Sequence, residues 1–429
     1  MLTSYIIGNN NKLNNGRKHM LLKTIARKTL ELKNHRIDKI EQNGEGEIII
    51  HLQSKRRRLL ESSCCHEKSR VIDHLPERKW SHVSLWGLKV KLVYGPARVR
   101  CSGCGKVVVE AIPWSLGKCR LTIPLIMYIT LFAELLPWKQ VAGIFSVHWN
   151  TVRNAVAQAV EYGRAHREIG TVLYFGVDEI SRKKGHVYCT NVYDLKEKRL
   201  LWTGEGREKA TIERFFEEIG KELTPSVTAI CCDMWQPYID TLTQYFPKAF
   251  LVFDKFHLIS HLNKAVDEVR REEARELKKS DPEVLKGTRY IWLKNPVNLT
   301  AKQRVRLSQL EKMNLKINRA YLLKEAFAQI WSYRTKGWAR RFLRQWFWWA
   351  THSRLKPMRD FAWMVRRHEE GILNYFKVPI SNGIVEGLNN KAKVISHRAY
   401  GYRSFENYRL ALYLCMGKLP RPETNFKFL

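Results

Sequence analysis

Apolar and polar residues are spaced differently in successive parts of the chain, so their pattern predicts several kinds of element. Glu47–Gln53, EIIIHLQ, has the apolar run of a strand. Leu88–Tyr94 alternates apolar and basic residues, which predicts one arm of a β-hairpin that turns at Trp86-Gly87. The apolar run Leu121–Leu136 contains a proline and a glutamate and is short for a bilayer, so it predicts a buried helix.

The next pattern has the rhythm of a helix-turn-helix. Residues 137–160 predict a short helix, a turn, and a second helix that begins near Asn150. Thr151, Arg153 and Asn154 would lie at the N-terminal end of that second helix, where a recognition helix meets base edges and phosphates. An ordinary helical hairpin is the alternative, because such hairpins are common.

From residue 171 onward the pattern predicts strand, strand, strand, helix, strand, helix and strand, in that order. The first strand ends in acids that include Asp178, and the fourth ends at Asp233. Residues 258–375 are then almost wholly helical in pattern. The predicted strands cover residues 171–180, 186–195, 199–204, 227–233 and 249–253.

Tryptophans cluster in the basic part of this helical region. Bases could stack on such side chains, but we expect them to pack within the helical core. The residues are Trp331, Trp338, Trp346, Trp348, Trp349 and Trp363.

The stretch Ser381–Tyr402 has the period of an amphipathic helix and contains a single acid, Glu386. A lone carboxylate among amides and cations suits a metal or phosphate site, and a merely solvated polar face is the alternative. The polar face carries Asn382, Glu386, Asn389, Asn390, Lys393 and His397. The apolar face carries Ile384, Val385, Leu388, Ala392 and Ile395.

The net charge of the chain indicates what kind of partner it binds. The 429 residues, with room for about two to four domains, include 75 Lys and Arg against 41 Asp and Glu, a formal charge of +34. An excess of this size, spread along the whole chain, indicates a polyanionic partner, most plausibly nucleic acid. A cationic surface kept for solubility explains it poorly, because added acids promote solubility better than added bases.

Nine cysteines, an odd number, occur in a chain without a secretory pattern at its start. This usage indicates a reducing compartment and favours metal or core roles over disulfides. We therefore expect a soluble cytoplasmic protein with no membrane partner.

Some of these cysteines have the spacing of a zinc site. Cys101-x-x-Cys104 is a metal-knuckle spacing, because two thiolates on a tight turn can reach one tetrahedral Zn²⁺. Upstream, Cys64, Cys65 and His66 offer partners in a less regular arrangement. A zinc-ribbon-like domain is one interpretation, and ordinary thiols without a metal are the other.

Three carboxylates stand out by position: Asp178, Asp233 and Glu386. Acids at the ends of buried strands are costly unless they are paired or metal-bound. Three oxygen ligands that converge would hold Mg²⁺ or Mn²⁺, and such ions support in-line phosphodiester displacement. The alternative is that the aspartates are ordinary strand-end or helix-cap residues. His257 is either an accessory to such a site or a satisfied core histidine.

This order of elements resembles the ribonuclease-H-like core of DDE transposases. Four stretches look like those of the ISL-three insertion-sequence family: VDEI, CCDMWQPY, FDKFH and SNGIVEGLNNKAKVISHRAYGYRSFENYR. The resemblance covers roughly residues 40–415. That family also carries an N-terminal zinc ribbon and a helix-turn-helix, which have matching positions here.

The resemblance implies a DNA transposase that binds the terminal inverted repeats of an insertion sequence and catalyses metal-dependent cleavage and strand transfer. Asp178, Asp233 and Glu386 would be its DDE metal ligands. Because two DNA ends must be brought together, it would act as a homodimer, in a prokaryotic cytoplasm in association with the nucleoid. The residues expected to contact DNA near the active site are Asn382, Asn390, Lys393 and Arg398.

The sequence departs from the family pattern at the first half of the ribbon. The family ribbon has CxxC at both ends, and the first expected cysteine here falls at Ser62, with Cys65 as the second. Zinc would then need Cys64 or His66 as a substitute ligand.

The predicted fold class is a multidomain α+β and α/β protein with a long all-α insertion before the last catalytic helix. A transposase-derived DNA-binding regulator and a ribonuclease-H-like nuclease are the rival functions. The predicted domains are an N-terminal extension (1–40), the zinc-ribbon-like domain (41–115), the helix-turn-helix (116–168), the first part of the catalytic core (169–260), the helical insertion (261–376), and the last core helix with the tail (377–429).

Overall fold

The computed structural model describes residues 23–24, 26, 30, 32, 34–55, 59–183, 187–378, 380 and 383–422. The chain forms two compact units, one of Met1–His166 with Pro420–Leu429 and one of Arg167–Leu419. Both contain sheets and helices, so the predicted mixed, multidomain fold is confirmed at this level. Across these ranges, no helix combines the length and the apolar character needed to cross a lipid bilayer.

The first unit contains two four-stranded sheets, with strand orders β1-β2-β6-β5 and β3-β4-β7-β8. The predicted strand Glu47–Gln53 corresponds to β2. The strands are β1 (His35–Gln42), β2 (Ile48–Ser54), β3 (Leu59–Glu61), β4 (Lys68–His74), β5 (Arg78–Leu85), β6 (Leu88–Tyr94), β7 (Ala97–Arg100) and β8 (Val107–Val109).

The hairpin predicted at Trp86-Gly87 is confirmed as β5–β6. Both turn residues have positive φ, 50° and 84°, as a tight two-residue hairpin turn requires. However, this hairpin pairs with β2, whereas the cysteines lie in the other sheet. The two cysteine loops meet because β4 pairs with β7, not because the hairpin returns the chain.

Within residues 121–166, three helices follow the two sheets. The apolar run forms the helix α1 (Ile123–Ala133), and the next two helices are α2 (Trp138–Ile144) and α3 (Trp149–His166). Ser146, between the last two, has φ 49°. The helix, turn and helix expected in residues 137–160 are therefore present.

The second unit is built on one five-stranded sheet of order β11-β10-β9-β12-β13. β9 pairs antiparallel with β10, and β10 with β11. β12 is parallel to β9, and β13 is parallel to β12. The predicted succession of strands and helices along the chain is confirmed. The strands are β9 (Tyr174–Lys183), β10 (Val187–Asp194), β11 (Arg199–Glu205), β12 (Ala229–Cys232) and β13 (Phe250–Phe253).

Helices flank this sheet and fill the segment that follows it. Short π- and 3-10-helical turns, among them Phe216–Gly220 and Asn374–Phe376, link some of them. The α-helices are α4 (Lys209–Phe215), α5 (Lys221–Leu223), α6 (Gln236–Tyr245), α7 (Lys255–Glu276), α8 (Arg289–Leu293), α9 (Ala301–Glu311), α10 (Lys316–Ala328), α11 (Lys336–Thr351), α12 (Lys356–Arg367), α13 (Glu369–Leu373), α14 (Gly383–Arg398) and α15 (Phe405–Met416).

Side chains of β9 alternate between the two faces of the sheet. Phe175 and Val177 enter the main apolar core, where the Phe175 ring lies 5.2 Å from that of Phe246. Gly176 and Asp178 therefore face the opposite side, which α14 covers. An ideal Cβ on Gly176 would lie 2.5 Å from Val385 Cγ2 of α14. The absent side chain at residue 176 lets this helix lie directly on the strand.

Asp178 does not end the first strand, contrary to the expectation from sequence. β9 continues to Lys183 because its antiparallel pairing with β10 continues to Val187. On its other edge, pairing with β12 stops at Gly176. Asp178 thus lies within a strand but just past the end of its parallel partner.

Contrary to the expectation from sequence, only some of the tryptophans of the helical insertion enter the core. Trp346 is fully buried and donates a hydrogen bond from Nε1 to the Leu323 carbonyl. The exposed ones are Trp338, Trp348, Trp349 and Trp363, at 40–59%. The repeating tryptophans of α11 occur on both its buried and its outward faces, so the count alone could not place them.

We expect Gly176→Ala to lower the free energy of unfolding by about 1–3 kcal/mol, the usual cost of overpacking. The added methyl must displace Val385 and also Leu195, whose Cδ2 lies 3.0 Å from the ideal Cβ position. Thermal or denaturant unfolding measures the effect. Adding Val385→Ala should cost less than the sum of the two single changes.

Gly387→Ala is the matched control for this prediction. An ideal Cβ on Gly387 meets nothing within 4 Å, so alanine there should be neutral or slightly stabilising in a helix. Wild-type stability in the Gly176→Ala variant would contradict the close contact between α14 and β9.

Candidate active site

Three aspartates lie side by side at one edge of the second unit's sheet. Cys231 pairs with Gly176, so the next-but-one residues, Asp233 and Asp178, follow in register. Cys232 pairs with Phe253, which places Asp254 beside Asp233 in the same way. The parallel strands β9, β12 and β13 thus each deliver one carboxylate to the same edge.

His257, in the first turn of α7, is the counter-charge of this group. Its Nδ1 lies 3.2 Å from Asp233 Oδ2, and its Nε2 lies 3.6 Å from Asp254 Oδ2 and 4.0 Å from Asp178 Oδ1. The side chain is 31% exposed, so His257 is not a core histidine. Asp254 positions this turn, because its Oδ1 accepts a hydrogen bond of 2.8 Å from the Phe256 amide as the helix cap.

Burial and mutual repulsion set the proton affinities at this edge. Burial raises the pKa of Asp178 to about 6. The hydrogen bond to Asp233 raises the pKa of His257 to about 9. For Asp233, burial raises the pKa, but the hydrogen bond and charge of His257, together with the Met234 amide, outweigh it and the net pKa is lowered. An Asp233–His257 ion pair therefore lies beside a carboxyl group, that of Asp178, whose pKa is raised to about 6.

Glu179, next to Asp178, points to the opposite face of the sheet. Burial raises its pKa to about 7, and it is hydrogen-bonded to Tyr238. Although it is acidic and adjacent in sequence, it is not part of the aspartate group.

The side chain of Asn389 joins α14 to the aspartate group. Its Nδ2 donates a hydrogen bond of 2.6 Å to Asp178 Oδ2. Its Oδ1 accepts a hydrogen bond of 2.8 Å from the Tyr193 hydroxyl on β10. Asn389 is buried, with 6% of its surface exposed, although the sequence pattern had assigned it to the polar face of the helix. It fixes the orientation of the Asp178 carboxylate.

Glu386 lies on α14 one turn before Asn389 and is exposed. Val385, which precedes Glu386, packs against Gly176. Asn389, which follows it, is hydrogen-bonded to Asp178. The helix that carries Glu386 is therefore docked beside Asp178. Among the described residues, no hydrogen bond or ion pair joins Glu386 to the aspartates.

The structure locates the residues expected to contact DNA. Asn390 and Lys393 are exposed on α14. Arg398 is half-buried, and its Nη2 lies 3.7 Å from Cys415 Sγ. Asn382 lies outside the described residues. In the first unit, Thr151, Arg153 and Asn154 are in the first turns of α3, and Arg153 Nη1 lies 3.4 Å from Asn154 Oδ1.

The four cysteines of the first unit form one cluster. The sulfur atoms of Cys64, Cys65, Cys101 and Cys104 all lie within 4.8 Å of one another. Ser62, at the expected position of a cysteine, is buried and hydrogen-bonded at 3.3 Å to Cys101 Sγ. His66 is not a member of this cluster, and its Nδ1 lies 2.8 Å from Glu61 Oε1. Cys64, and not His66, is therefore the fourth member of the cluster.

The segment that matches a known protein family lies within the second unit. A family model for transposases, of the DDE ISL-three type, matches residues 175–412, more than half of the chain. The chain belongs to the ISL-three family of DDE transposases. The matched segment includes Asp178, Asp233, His257 and Glu386.

Two curated transposases are similar to this family member over most of its length. The transposase for insertion sequence element IS1001 of Bordetella parapertussis is 29% identical over 351 residues, which cover 81% of this chain and 86% of that protein. The transposase for IS1557 of Mycobacterium tuberculosis is 28% identical over 351 residues, 76% of this chain and 79% of that protein.

Sequence reasoning missed two residues of this candidate site. Asp254 was available as the acid that ends the fifth strand, in FDKFH, but three carboxylates already satisfied the expected pattern. Asn389 was recognised only as a polar residue of the helix. Its contact with Asp178 depends on how closely α14 approaches β9, which helical periodicity does not report.

The raised pKa of His257 makes stability depend on alkaline pH. Its folded-state pKa of about 9 exceeds the ordinary value of 6.5, so its contribution to stability is complete below pH 6.5 and is lost as the pH rises through 9. The contributions of Asp178 and Glu179 are lost earlier, as the pH rises through about 6 and 7.

Thermal unfolding of the transposase without added divalent cation, at about pH 7.5 and 9.5, should therefore report on His257. The wild type should lose more stability across this interval than His257→Gln, whereas His352→Gln, an exposed-site control, should behave as the wild type. An equal loss in His257→Gln and the wild type would contradict the ion-pair assignment.

Proposed function

We propose that this protein is a metal-dependent transposase that cuts and rejoins DNA at the ends of an insertion sequence. The observation that supports this most is the alignment of Asp178 and Asp233 on adjacent parallel strands with the Glu386 helix docked beside them. Membership of the ISL-three family supports the reaction class, and the relatives' names refer to insertion sequence elements. The order of strands, with the helical insertion before α14, supports a ribonuclease-H-like core.

The donor set suits Mg²⁺ or Mn²⁺, which prefer carboxylate oxygens. Three aspartates face one imidazolium, so this edge holds more negative than positive charge. Asp178, Asp233 and Glu386 would hold the cation. When bound, it supplies polarisation of the phosphodiester and activation of the attacking water or 3′-hydroxyl.

The remaining groups act by position and charge. Asn389 holds the Asp178 carboxylate in one orientation through its hydrogen bond. His257 balances the aspartates and is an accessory to the site. Asn390, Lys393 and Arg398, together with Asn382, would contact DNA near the reacting phosphate, because amide and cationic donors bind phosphate oxygens.

The first unit would recognise the element ends. α2 and α3 form the helix-turn-helix of this proposal, with Thr151, Arg153 and Asn154 at the DNA. The four-cysteine cluster forms its zinc ribbon. Sulfur atoms around a tetrahedral zinc, with Zn–S bonds of about 2.3 Å, lie about 3.8 Å apart, which agrees with the 3.5 Å between Cys64 and Cys104 Sγ. Synapsis of two ends would require a homodimer on double-stranded DNA.

We expect Asp178→Ala, Asp233→Ala and Glu386→Ala each to lower strand cleavage at least about a hundredfold. Each removes a ligand while leaving the first unit unchanged, so DNA-end binding should persist. The measurement is Mg²⁺-dependent cleavage of oligonucleotides taken from the inverted repeats that flank the gene.

Glu179→Gln is the control, because this acid neighbours Asp178 but lies on the other face of the sheet; it should retain cleavage. Full cleavage by Glu386→Ala would refute the site assignment. End binding without metal-dependent cleavage in the wild type would favour a DNA-binding regulator, and cleavage without joining would favour a nuclease.

We also expect about one zinc per chain in the purified protein by elemental analysis. Cys64→Ser and Cys104→Ser should lose the zinc, because each removes one of four sulfur ligands. His66→Ala and Cys119→Ser, outside the cluster, should keep it. Zinc loss in His66→Ala with retention in Cys64→Ser would contradict the proposed ligand set.

A further inference from the structure

A groove lies beside the candidate active site, between the end of β9 and the C-terminal end of α14. It has a volume of about 320 Å³, and its lining includes Arg182, Lys393, Ser396, His397, Tyr400 and Gly401. Ile180 and Ser181 of β9 also line it, and these residues follow Asp178 by only two and three positions. A ligand chain bound at Asp178 could therefore continue into the groove.

Tyr400 at the rim of this groove has an unfavourable backbone and no compensating burial. The Gly401 amide donates a hydrogen bond of 2.8 Å to the Ser396 carbonyl, the closing bond of a Schellman motif. That motif places its left-handed residue at position 400, where glycine is preferred. Tyr400 occupies it with φ 55° and is 96% exposed. The left-handed backbone at Tyr400 is thus a local cost that packing of its side chain does not offset.

The cations of the groove divide into two groups. Arg182 is already engaged, because its Nη2 lies 2.8 Å from Glu205 Oε1 and its Nη1 donates to the carbonyls of Tyr402 and Arg403 at 3.3 Å. It holds the turn that follows Tyr400. Lys393 and His397, one turn apart on α14, are exposed and remain to face a ligand.

Three of these groups lie on one side of α14. Glu386, Lys393 and His397 are spaced by seven and four residues, so they recur on the same face of the helix, and Tyr400 follows in the turn just past its end at Arg398. At 1.5 Å per residue, Lys393 lies about 10 Å along the axis from Glu386. The order is a carboxylate at the candidate metal site, then two cationic donors, then an exposed aromatic ring.

We propose that this groove binds an unpaired nucleotide of the DNA strand that leaves the active site. Lys393 and His397 contact its phosphate, and its base stacks on the ring of Tyr400. Cationic donors along a backbone with an aromatic platform are the features that bind single strands without regard to sequence. An apolar partner would not account for the cations, and a duplex would keep its bases away from the ring. This inference rests on the proposed DNA-strand chemistry of the same site.

The test compares affinities of the full-length protein for two dye-labelled probes, a 15-nucleotide oligo-dT and a 15-bp blunt duplex, by fluorescence anisotropy without Mg²⁺. Tyr400→Ala should weaken single-strand binding at least about fivefold and should change duplex binding little. Tyr400→Phe should bind as the wild type. Lys393→Ala should reduce the log–log salt slope for the single strand by about 0.7.

Tyr400→Gly separates a binding role from a structural one. It removes the left-handed strain, so its thermal midpoint should equal or exceed that of the wild type, yet it should lose single-strand affinity as Tyr400→Ala does. Trp348→Ala is the matched control, another exposed aromatic residue, and should bind normally.

Several results would overturn the inference. Unchanged single-strand affinity in Tyr400→Ala and Tyr400→Gly would refute it, and so would a loss confined to Trp348→Ala. A lowered oligomeric mass in Tyr400→Ala with unchanged DNA affinity would assign the ring to contact between copies. If cleavage depends on Asp178 but single-strand binding does not depend on Tyr400, only this inference fails. If the wild type binds neither probe, the proposed function fails as well.

Discussion

The close approach of α14 to β9 is the constraint on which the candidate site depends. A strand position without a side chain, Gly176, lets Val385 lie against the sheet. That approach brings Asn389 within 2.6 Å of Asp178 and 2.8 Å of the Tyr193 hydroxyl. A helix held farther away would lose both bonds and would carry Glu386 away from the aspartates. One packing contact therefore governs the orientation of a strand carboxylate and the position of a helical one.

Repulsion among the carboxylates accompanies this packing. Parallel strands in register necessarily place the residues that follow them side by side, and here those residues include Asp178, Asp233 and Asp254. Grouped carboxylates in a partly buried position disfavour their own ionisation, which the raised pKa of Asp178 reflects. The His257 imidazolium offsets part of this cost. An arrangement that is costly for folding but suited to a cation is characteristic of functional sites.

The sequence predicted the order of the elements well, because apolar periodicity and strand-end acids are local signals. The strands of the second unit, the two helices of residues 137–160 and the β5–β6 hairpin all lie close to their expected positions. What the pattern missed depends on partners distant in sequence. β9 extends past Asp178 because β10 continues to pair with it, and Asn389 is buried because Tyr193 lies opposite. Likewise, the cysteine loops meet through β4 and β7.

We propose that Asp178, Asp233 and Glu386 together hold one divalent cation. Replacing Mg²⁺ by Fe²⁺ in the presence of ascorbate and peroxide generates radicals that cut the polypeptide next to the bound metal, and mass spectrometry then locates the cuts. If these three residues hold one ion, cuts should occur close to residues 178, 233 and 386, and excess Mg²⁺ should suppress them. Cuts at the two aspartates without any near Glu386 would contradict it.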